Sequence, residues 1–303
     1  MTAPAGATMA ATMAATMEGA ILDAPADGGS ATGHAVGRSS GYRLEQRIRY
    51  DYDGPVHNLR QRLVVVPPSV HGRQRCSTWR ITVEGASDVE RRTTSDRFGN
   101  TVVEIAAARV EESVTFMVDS SVLQDPRPRP HVVRPRRAYL APTPLTRPDA
   151  RIAAMTAAAA TAADPIGRLC SLVHRSLQYQ WGVTGVATTA ADALRGGQGV
   201  CQDYAHIMLA GCRLSGIAAR YVSGHLTGEG GSHAWVEVLR PDPSTPRQWS
   251  VEAWDPTHDS RAGDGHVTVA VGRDYRDVAP MSGCYDGEGI SNRLTVVKAL
   301  LAA

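Results

Sequence analysis

The chain contains little cysteine, and its cysteines do not form the patterns that hold small secreted domains together. Five cysteines occur in 303 residues, at positions 76, 170, 201, 212 and 284, with no Cys-x-x-Cys pair. An odd number at wide spacing argues against a disulfide framework and against a structural zinc site. We therefore expect a reducing, cytoplasmic location, and we expect neither a metal nor another cofactor.

Long apolar runs and a strong charge bias are also missing. No segment approaches the roughly 20 apolar residues that cross a bilayer, and the first residues lack the basic and leucine-rich regions of a signal peptide. The net charge is +2, and arginine supplies every basic residue except Lys298. The basic cluster at residues 127–137 is interrupted by prolines, so we interpret it as a solvated linker rather than a binding arm. Neither nucleic acid nor a membrane is an expected partner.

Composition divides the chain into four parts. Residues 1–40 are rich in Ala, Thr, Met and Gly and are predicted to be a disordered low-complexity tail, because they bury too little apolar area to offset the entropy of ordering. Short alternating segments with turns between them predict an antiparallel β-sandwich over residues 41–123. Residues 124–146 are rich in proline and arginine and predict a linker. Residues 147–303 form the remaining domain.

The last domain is predicted to place helices first and an antiparallel sheet after them, an α+β arrangement. Asp164 and Pro165 supply an N-cap and a first helical position, and a second helix runs from Cys201 to Ser215 before Gly216. Alternating segments follow and predict strands over 218–226, 233–239, 248–254, 267–271 and 293–300.

Cys201 lies in the stretch that the rest of this domain is organised around. Glycines at 196, 197 and 199 precede it, and a helix is predicted to begin at the cysteine itself. A thiol at a helix start experiences the positive end of the helix dipole and free backbone N–H groups, which favour thiolate. Although cysteine is often simply buried, a structural thiol does not need such a loop. Cys201 is therefore the candidate nucleophile.

A histidine and an aspartate follow on successive predicted strands. His233 begins one strand, and Asp255 ends the next, held extended by the proline after it. This order supplies a base for the thiol and a carboxylate to orient the base. His206 and His225 are rivals of His233, but His206 points about 140° away from Cys201 around the helix. Asp259 and Asp264 are weaker substitutes for Asp255, which by itself is an ordinary turn residue.

Four motifs in this region resemble the bacterial transglutaminase-like family of the papain-like superfamily. They are Gly199-Val-Cys-Gln-Asp-Tyr-Ala205, Gly216-Ile-Ala-Ala-Arg-Tyr-Val-Ser-Gly224, His233-Ala-Trp-Val-Glu-Val238 and Asp255-Pro-Thr257. The resemblance is close over residues 188–280. In the first domain, Tyr50-Asp-Tyr52 and Asp96-Arg-Phe-Gly-Asn100 resemble the amino-terminal β domain of the same family. The resemblance implies a papain-like transglutaminase core with Cys201, His233 and Asp255 as its triad.

Weaker candidates surround the triad. The backbone N–H of Cys201 is a natural donor to an oxyanion, and a second donor is sought among Gln180, Trp181 and Gln198. Tyr204 and Trp235 are candidates for lining the cleft, although both are equally suited to packing. Asp203 is interpreted as a helix cap rather than a reacting group.

The triad predicts thiol-dependent acyl transfer or hydrolysis at peptide or glutamine-type amides, through a thioester on Cys201. A protein or peptide is therefore the expected substrate, while the choice between amine and water as acceptor and the oligomeric state stay open. No EF-hand loop is present, so calcium dependence is not expected. Two alternatives are a non-enzymatic binding module that retains the fold, and a zinc protein that uses Cys201, His233 and Asp255.

Overall fold

The computed structural model describes residues 10–13, 40–127, 131–134, 136–242 and 248–302. Apart from residues 10–13 and 40, the predicted disordered tail lies outside these residues. The first part of the chain is almost entirely β-structure. Its strands are β1 (Ala10–Met13), β2 (Ser40–Tyr52), β3 (Val56–Val66), β4 (Val70–His71), β5 (Gln74–Ser87), β6 (Glu90–Ser95), β7 (Thr101–Gln124) and β8 (Val132–Val133).

The second part mixes helices and strands, as the sequence predicts. Its elements are α1 (Ala150–Ala160), α2 (Pro165–Ser176), β9 (Gln178–Tyr179), α3 (Ala190–Gly196), β10 (Gln198–Gly199), α4 (Cys201–Leu214), β11 (Ala218–Leu226), β12 (His233–Pro241), β13 (Trp249–Asp255), β14 (Ser260–Arg261), β15 (His266–Gly272), α5 (Tyr275–Val278), β16 (Met281–Asp286) and β17 (Asn292–Ala302). Asp164 caps α2 by accepting the backbone N–H of Gly167. The α+β prediction is confirmed.

The long strand β7 organises the first sheet. Its first half pairs with β3 and β6, and its second half pairs with β2 and β5. Apolar residues of the two halves, such as Ile105 and Phe116, belong to the same buried cluster, so the sheet folds over and its halves pack on each other. The predicted β-rich domain is therefore present as one continuous hydrogen-bonded sheet of nine strands.

The last two strands return to this first sheet. β16 pairs with β3, and β17 pairs with β2 over eleven residues, from Asn292 opposite Tyr52 to Ala302 opposite Tyr42. The assignment of all of residues 147–303 to the second domain is therefore wrong for these strands. Alternation of apolar residues predicts a strand but does not specify its partner, and Met281 and Tyr285 bury their side chains in the core of the first sheet.

The predicted linker begins at the end of β7 in the first sheet, and its later part is anchored to the second domain. Val132–Val133 forms β8 and pairs with β13. Farther along, Tyr139 and Thr146 are buried, and both accept hydrogen bonds from the guanidinium of Arg213 on α4, through a backbone carbonyl and a hydroxyl respectively. This part of the chain is thus a strap across the core rather than a freely solvated connection.

Helix α4 is the centre of the second domain. It packs on β11 and β12 of a second antiparallel sheet, in the order β14-β13-β12-β11-β15, and on helices α1 to α3. Ile207, Met208 and Leu209 are fully buried, each contributing about 1.5–3 kcal/mol of hydrophobic stabilisation. In the described parts of the chain, every helix falls short of the length and apolar character that spanning a bilayer requires.

Two buried amide side chains join the first sheet to the second. Gln74 exchanges two hydrogen bonds of 2.8 Å with the backbone of Thr268, and Asn100 exchanges two of 2.8 Å with the backbone of Val271. Both partners lie on β15, the strand at the edge of the second sheet. The amides satisfy backbone groups that an edge strand otherwise leaves unpaired, so they fix the two sheets together close to the candidate site.

Candidate active site

A glycine turn positions the thiol of Cys201 at the start of α4. Gly197 ends α3 in the left-handed conformation, with φ of 70°, and the chain then pairs in parallel with residues 178–179. Gly199 has no room for a side chain, because a Cβ there would lie 2.7 Å from Oδ2 of Asp203. The turn therefore delivers Cys201 to the first position of the helix, as the sequence predicts.

Asp203 holds this turn closed. Its Oδ2 accepts the backbone N–H of Val200 at 2.8 Å and the hydroxyl of Thr184 at 2.6 Å. The carboxylate is fully buried and faces the start of its own helix, where a negative charge is stabilising. It acts as a helix cap, in agreement with the prediction.

His233 begins β12 and lies between the thiol and a carboxylate. Its Nε2–H donates to Oδ2 of Asp255 at 2.7 Å, and this leaves Nδ1 as the nitrogen that faces Cys201. The sulfur of Cys201 lies 4.0 Å from the carbonyl oxygen of Ser232, the residue before the histidine. The structure thus brings together the three residues that the sequence proposes as a triad.

The surroundings of His233 favour its charged form. Burial opposes protonation, but hydrogen bonds to Asp255, Cys201 and Glu229, together with the charge of Cys201, raise the pKa of His233 to about 12. Because carboxylates only accept hydrogen bonds, the contacts of both ring nitrogens with carboxylates require a proton on each. The imidazolium is the partner that a thiolate needs.

Asp255 holds three imidazoles at one oxygen. Its Oδ2 accepts from His233, from Nδ1 of His258 at 2.8 Å and from Nε2 of His266 at 3.1 Å, while Oδ1 accepts the backbone N–H of Thr257. The side chain has no solvent exposure. Burial alone would raise the pKa of Asp255, but the hydrogen bonds from the three histidines hold it well below its ordinary value.

A second carboxylate reaches the same histidine from the loop before β12. Oε2 of Glu229 lies 3.2 Å from Nδ1 of His233, and Oε1 lies 3.1 Å from Nε2 of His258. Because His258 also contacts Asp255, the four side chains close a ring of alternating carboxylates and imidazoles. We call Glu229, His233, Asp255 and His258 the four-residue circuit. The hydrogen bond to His233 holds the pKa of Glu229 below its ordinary value.

Glu229, His258 and His266 are not among the residues predicted from the sequence. His258 follows Asp255 by three residues in one turn, and Glu229 precedes His233 by four, so both are local neighbours that the motif pattern could have indicated. His266 lies on β15, and no local signal predicts its contact with Asp255. Tyr179 is a further neighbour: burial and the charges of Cys201 and Glu229 raise its pKa.

The rival histidines lie in other environments. His206 is fully buried, and its Nε2 accepts the backbone N–H of Tyr275, while Nδ1 of His225 contacts the carbonyl oxygen of Gly231. Burial lowers the pKa of each to about 3, which makes both poor bases at neutral pH. Burial also raises the pKa of the thiols of Cys170 and Cys212 to about 12.

The weaker candidates fall into two groups. Gln198 belongs to β10 and pairs with β9, and the backbone N–H of Gln180, just after β9, donates to the carbonyl oxygen of Gly199 at 2.9 Å. Trp181 is exposed, and oxyanion roles for these three residues remain predictions. Tyr204 is 2% exposed and donates its hydroxyl to the carbonyl of Leu177 at 2.8 Å. It is therefore a packing residue and does not line an open cleft.

Trp235 lines a cavity behind the triad rather than the mouth of the site. The cavity has a volume of about 720 Å³ and lies between the first sheet and the second. His266 and Glu237 also form its wall. Because β12 alternates, Ala234 and Val236 pack toward α4, while Trp235 packs on Val222 and Val271. The outer face of β12 therefore meets the rear cavity.

A second polar cluster closes this cavity. Glu237 accepts from Nε of Arg220 at 2.6 Å and lies 2.6 Å from Nε2 of His71, with His131 at 3.9 Å. Burial opposes ionisation, but Arg220 and His71 hold the pKa of Glu237 well below its ordinary value. His71, His131 and Glu237 have ligand types that a divalent metal uses, yet Arg220 already neutralises the carboxylate. The cluster is therefore a buried ion pair at the junction of the two sheets.

The last strand contributes the single lysine of the chain. Nζ of Lys298 on β17 donates to the hydroxyl of Ser232, the residue before His233. Burial lowers the pKa of Lys298 to about 8. The loop before His233 is thus held by a side chain of the first sheet, in addition to its connection to β12 of the second sheet.

A thiol at a helix start, an imidazole and a buried carboxylate are the groups that thiol-dependent chemistry uses, and comparison with known proteins indicates a transglutaminase-like construction. Residues 149–251 match the family model described as transglutaminase-like superfamily, and residues 42–123 match that of the bacterial transglutaminase-like N-terminal region. The second part of the chain thus contains a transglutaminase-like core, and the first part contains the amino-terminal region found with it in bacteria. These matches support thiol-dependent activity as a general class.

Individual relatives are similar over much of the chain. It is 37% identical over 174 residues to the uncharacterised protein ML0607 of Mycobacterium leprae, covering 52% of this chain and 59% of that protein. It is 28% identical over 277 residues to the uncharacterised protein Rv2569c of Mycobacterium tuberculosis, covering 80% and 86%. A crystal structure of a candidate cysteine protease from Cytophaga hutchinsonii matches with a TM-score of 0.63 at 18% identity, over 88% of this chain and 91% of that chain. This last likeness shows a shared fold.

Proposed function

We propose that this protein is a thiol-dependent enzyme that acts on peptide or glutamine-type amides through Cys201, His233 and Asp255. The observation that carries the proposal is the position of His233, hydrogen-bonded through Nε2 to a buried carboxylate and turned by its other nitrogen toward a thiol at a helix start. This geometry supports an ion pair of thiolate and imidazolium.

In the first half of the reaction, the Cys201 thiolate attacks the amide carbonyl carbon and forms a C–S bond. The backbone N–H of Cys201, with a second donor from Gln180, Trp181 or Gln198, stabilises the oxyanion. The C–N bond then breaks, and the nitrogen leaves with the proton of His233 Nδ1 as ammonia or an amine. The acyl group remains on Cys201 as a thioester, and His233 is neutral.

In the second half, an amine or water attacks the thioester and gives a proton to His233. The C–S bond breaks and restores the thiolate–imidazolium pair. An amine acceptor completes acyl transfer, and water completes hydrolysis. Asp255 keeps the imidazole oriented and compensates its charge throughout. We propose a reducing compartment, the cytoplasm, because all five cysteines are free thiols and the mechanism needs one of them reduced.

The test compares alkylation at each cysteine, read by mass spectrometry, in the parent protein, in His233→Ala and in His225→Gln as a matched control. We expect Cys201 to react at about pH 6, where an ordinary thiol with a pKa of about 8.5 is almost wholly protonated. His233→Ala removes this advantage and His225→Gln retains it. Incubation with a glutamine peptide and acid quenching then traps the acyl mass on Cys201.

The opposite result is equally clear. If Cys201 reacts no faster than Cys284 at about pH 6 and His233→Ala changes nothing, the triad is not operating. The non-enzymatic binding module would then be the better account of the fold.

A further inference from the structure

Glu229 contacts the nitrogen of His233 that the proposed mechanism uses as its proton donor. His233 must exchange its Nδ1 proton with Cys201 and with the leaving nitrogen. Oε2 of Glu229 lies 3.2 Å from the same nitrogen. A carboxylate there competes for the proton and also stabilises the charge of the imidazolium.

His258 explains why Glu229 stays in place. The loop that carries Glu229 is short, with Gly228 in the left-handed conformation at φ 86°, and the Glu229 side chain is 37% exposed. An exposed carboxylate on such a loop does not hold one position unaided. Nε2 of His258 fixes its second oxygen at 3.1 Å, and Nδ1 of His258 is itself fixed by Asp255 at 2.8 Å.

We propose that Glu229 is a positioning residue that holds His233 as an imidazolium, and that His258 acts through Glu229 to keep it there. This inference rests on the proposed function and adds a second carboxylate to the triad. Asp255 orients the imidazole from the buried side, and Glu229 does so from the solvent side. The thiolate–imidazolium pair is thereby maintained to higher pH than Asp255 alone would allow.

The charged and titratable groups around His233 come from every element packed against it. Asp255 and Glu229 favour the imidazolium, and so does the thiolate of Cys201, whereas Lys298, His258 and His266 are the nearby groups that can carry opposing charge. Burial keeps His225 neutral near neutral pH. The rings of His258 and His266 lie 5.3 Å and 5.9 Å from that of His233. Of the two carboxylates, only Glu229 can be removed without emptying the buried oxygen on which three histidines depend.

The direction of the effect follows from two steps of titration. The first, lower step forms the thiolate–imidazolium pair, when Cys201 loses its proton beside charged His233. The second, upper step ends the pair, when His233 loses its proton at higher pH. An uncharged alkylating reagent detects both, since the free thiolate above the second step is more nucleophilic than the paired one. Removing the charge of Glu229 destabilises the imidazolium, so the second step moves to lower pH. It also relieves repulsion of the thiolate, so the first step moves the same way.

The experiment measures the rate of iodoacetamide alkylation at Cys201 against pH, in buffers with EDTA, for the parent protein and four variants. They are Glu229→Gln, His258→Gln, the double variant, and Glu112→Gln as a control for the same change at an exposed position of the first sheet. We expect Glu229→Gln to lower the upper step by about one pH unit, the low end of the range for opposite charges because the carboxylate is partly solvated.

The circuit predicts how the variants combine. His258→Gln should lower the upper step by less than Glu229→Gln, and its effect should be smaller in the Glu229→Gln background than in the parent protein, because part of it acts through Glu229 and the rest through the contact of His258 with Asp255. Glu112→Gln should reproduce the parent profile. The proposal is overturned if Glu229→Gln leaves both steps in place, or if His258→Gln shifts the upper step equally with and without Glu229.

The two proposals fail in different ways. If the parent protein shows no dependence of Cys201 alkylation on His233, the proposed function fails. If that dependence is present but Glu229→Gln is indistinguishable from Glu112→Gln, only the role of Glu229 fails.

Discussion

Replacing Asp255 with asparagine tests the centre of the site with almost no change in shape. Oδ2 of Asp255 receives three imidazole N–H groups and Oδ1 receives a backbone N–H. Asparagine offers one carbonyl oxygen and one NH2 group. Whichever way it is turned, the NH2 group faces at least one N–H donor. The variant therefore removes the charge and also leaves at least one donor without an acceptor.

The magnitude follows from the contacts. A hydrogen bond to a charged group contributes about 1.5–3 kcal/mol, and the His233 contact at 2.7 Å lies between side chains with at most 1% exposure. Loss of about 2 kcal/mol of support for the imidazolium corresponds to roughly 30-fold less thiolate–imidazolium pair relative to the neutral pair. Breaking a buried pair costs about 3–5 kcal/mol of folding stability.

The stability effect depends on pH in a defined direction. The folded-state pKa of Asp255 is depressed, so its contribution is complete above the unfolded value of about 3.9 and is lost as the pH falls through the folded value. Urea unfolding should show a large difference between the parent protein and Asp255→Asn near neutral pH. That difference should shrink as the pH is lowered below about 4.

Alkylation of Cys201 near neutral pH provides the functional readout, and Asp259→Asn is the matched control. Asp259 lies four residues away, accepts the hydroxyl of Ser171 at 2.6 Å and has a positive φ of 50°, which asparagine also tolerates. We expect Asp259→Asn to keep the parent rate. A folded Asp255→Asn protein with the parent rate of alkylation would refute the reasoning.

Two further predictions concern the framework behind the site, and both are measured by urea unfolding. Glu237→Gln removes the charge that holds Arg220 and His71 and should lower the free energy of unfolding by about 3 kcal/mol. Glu252→Gln, at a more exposed ion pair, should lower it by at most about 1 kcal/mol. Equal effects of the two variants would contradict the account of Glu237 as part of a buried ion pair. Gly224→Ala places a Cβ 2.1 Å from a backbone oxygen of β15 and should cost about 2 kcal/mol or more, while Gly185→Ala, with no atom within 4 Å, should stay within about 0.5 kcal/mol. A parent-like Gly224→Ala protein would show that β11 and β15 can separate freely.

Local patterns in the sequence were sufficient for the elements that carry the site. The glycine turn and helix start at Cys201 and the strand that begins at His233 are properties of consecutive residues. So is the Asp-Pro turn at residue 255. The alternation of β12 also places Trp235 and Glu237 on one face and Val236 on the other. These features could be predicted because each depends on neighbours within one element.

Contacts between distant segments could not be predicted in the same way. His266 reaches Asp255 from β15, and Gln74 reaches the same strand from the first sheet. The strand pattern of residues 292–302 is also compatible with either sheet, and only pairing with β2 decides it. A period of two residues specifies that a strand has two faces, but it contains no information about which edge the strand will meet.

Because β16 and β17 return to the first sheet, that sheet can be completed only after the end of the chain has been synthesised. Chains emerge from the ribosome amino terminus first, at about 5–20 residues per second, so β2 and β3 exist long before residues 281–302 do. Until then each lacks the partner that the finished protein gives it, and unpaired strand edges invite association with other chains. Lys298 on β17 also fastens the loop before His233. β17 therefore covers the edge of β2 and also supplies the lysine that holds the loop before His233. A chain truncated before β17 would lack the edge pairing and the lysine contact.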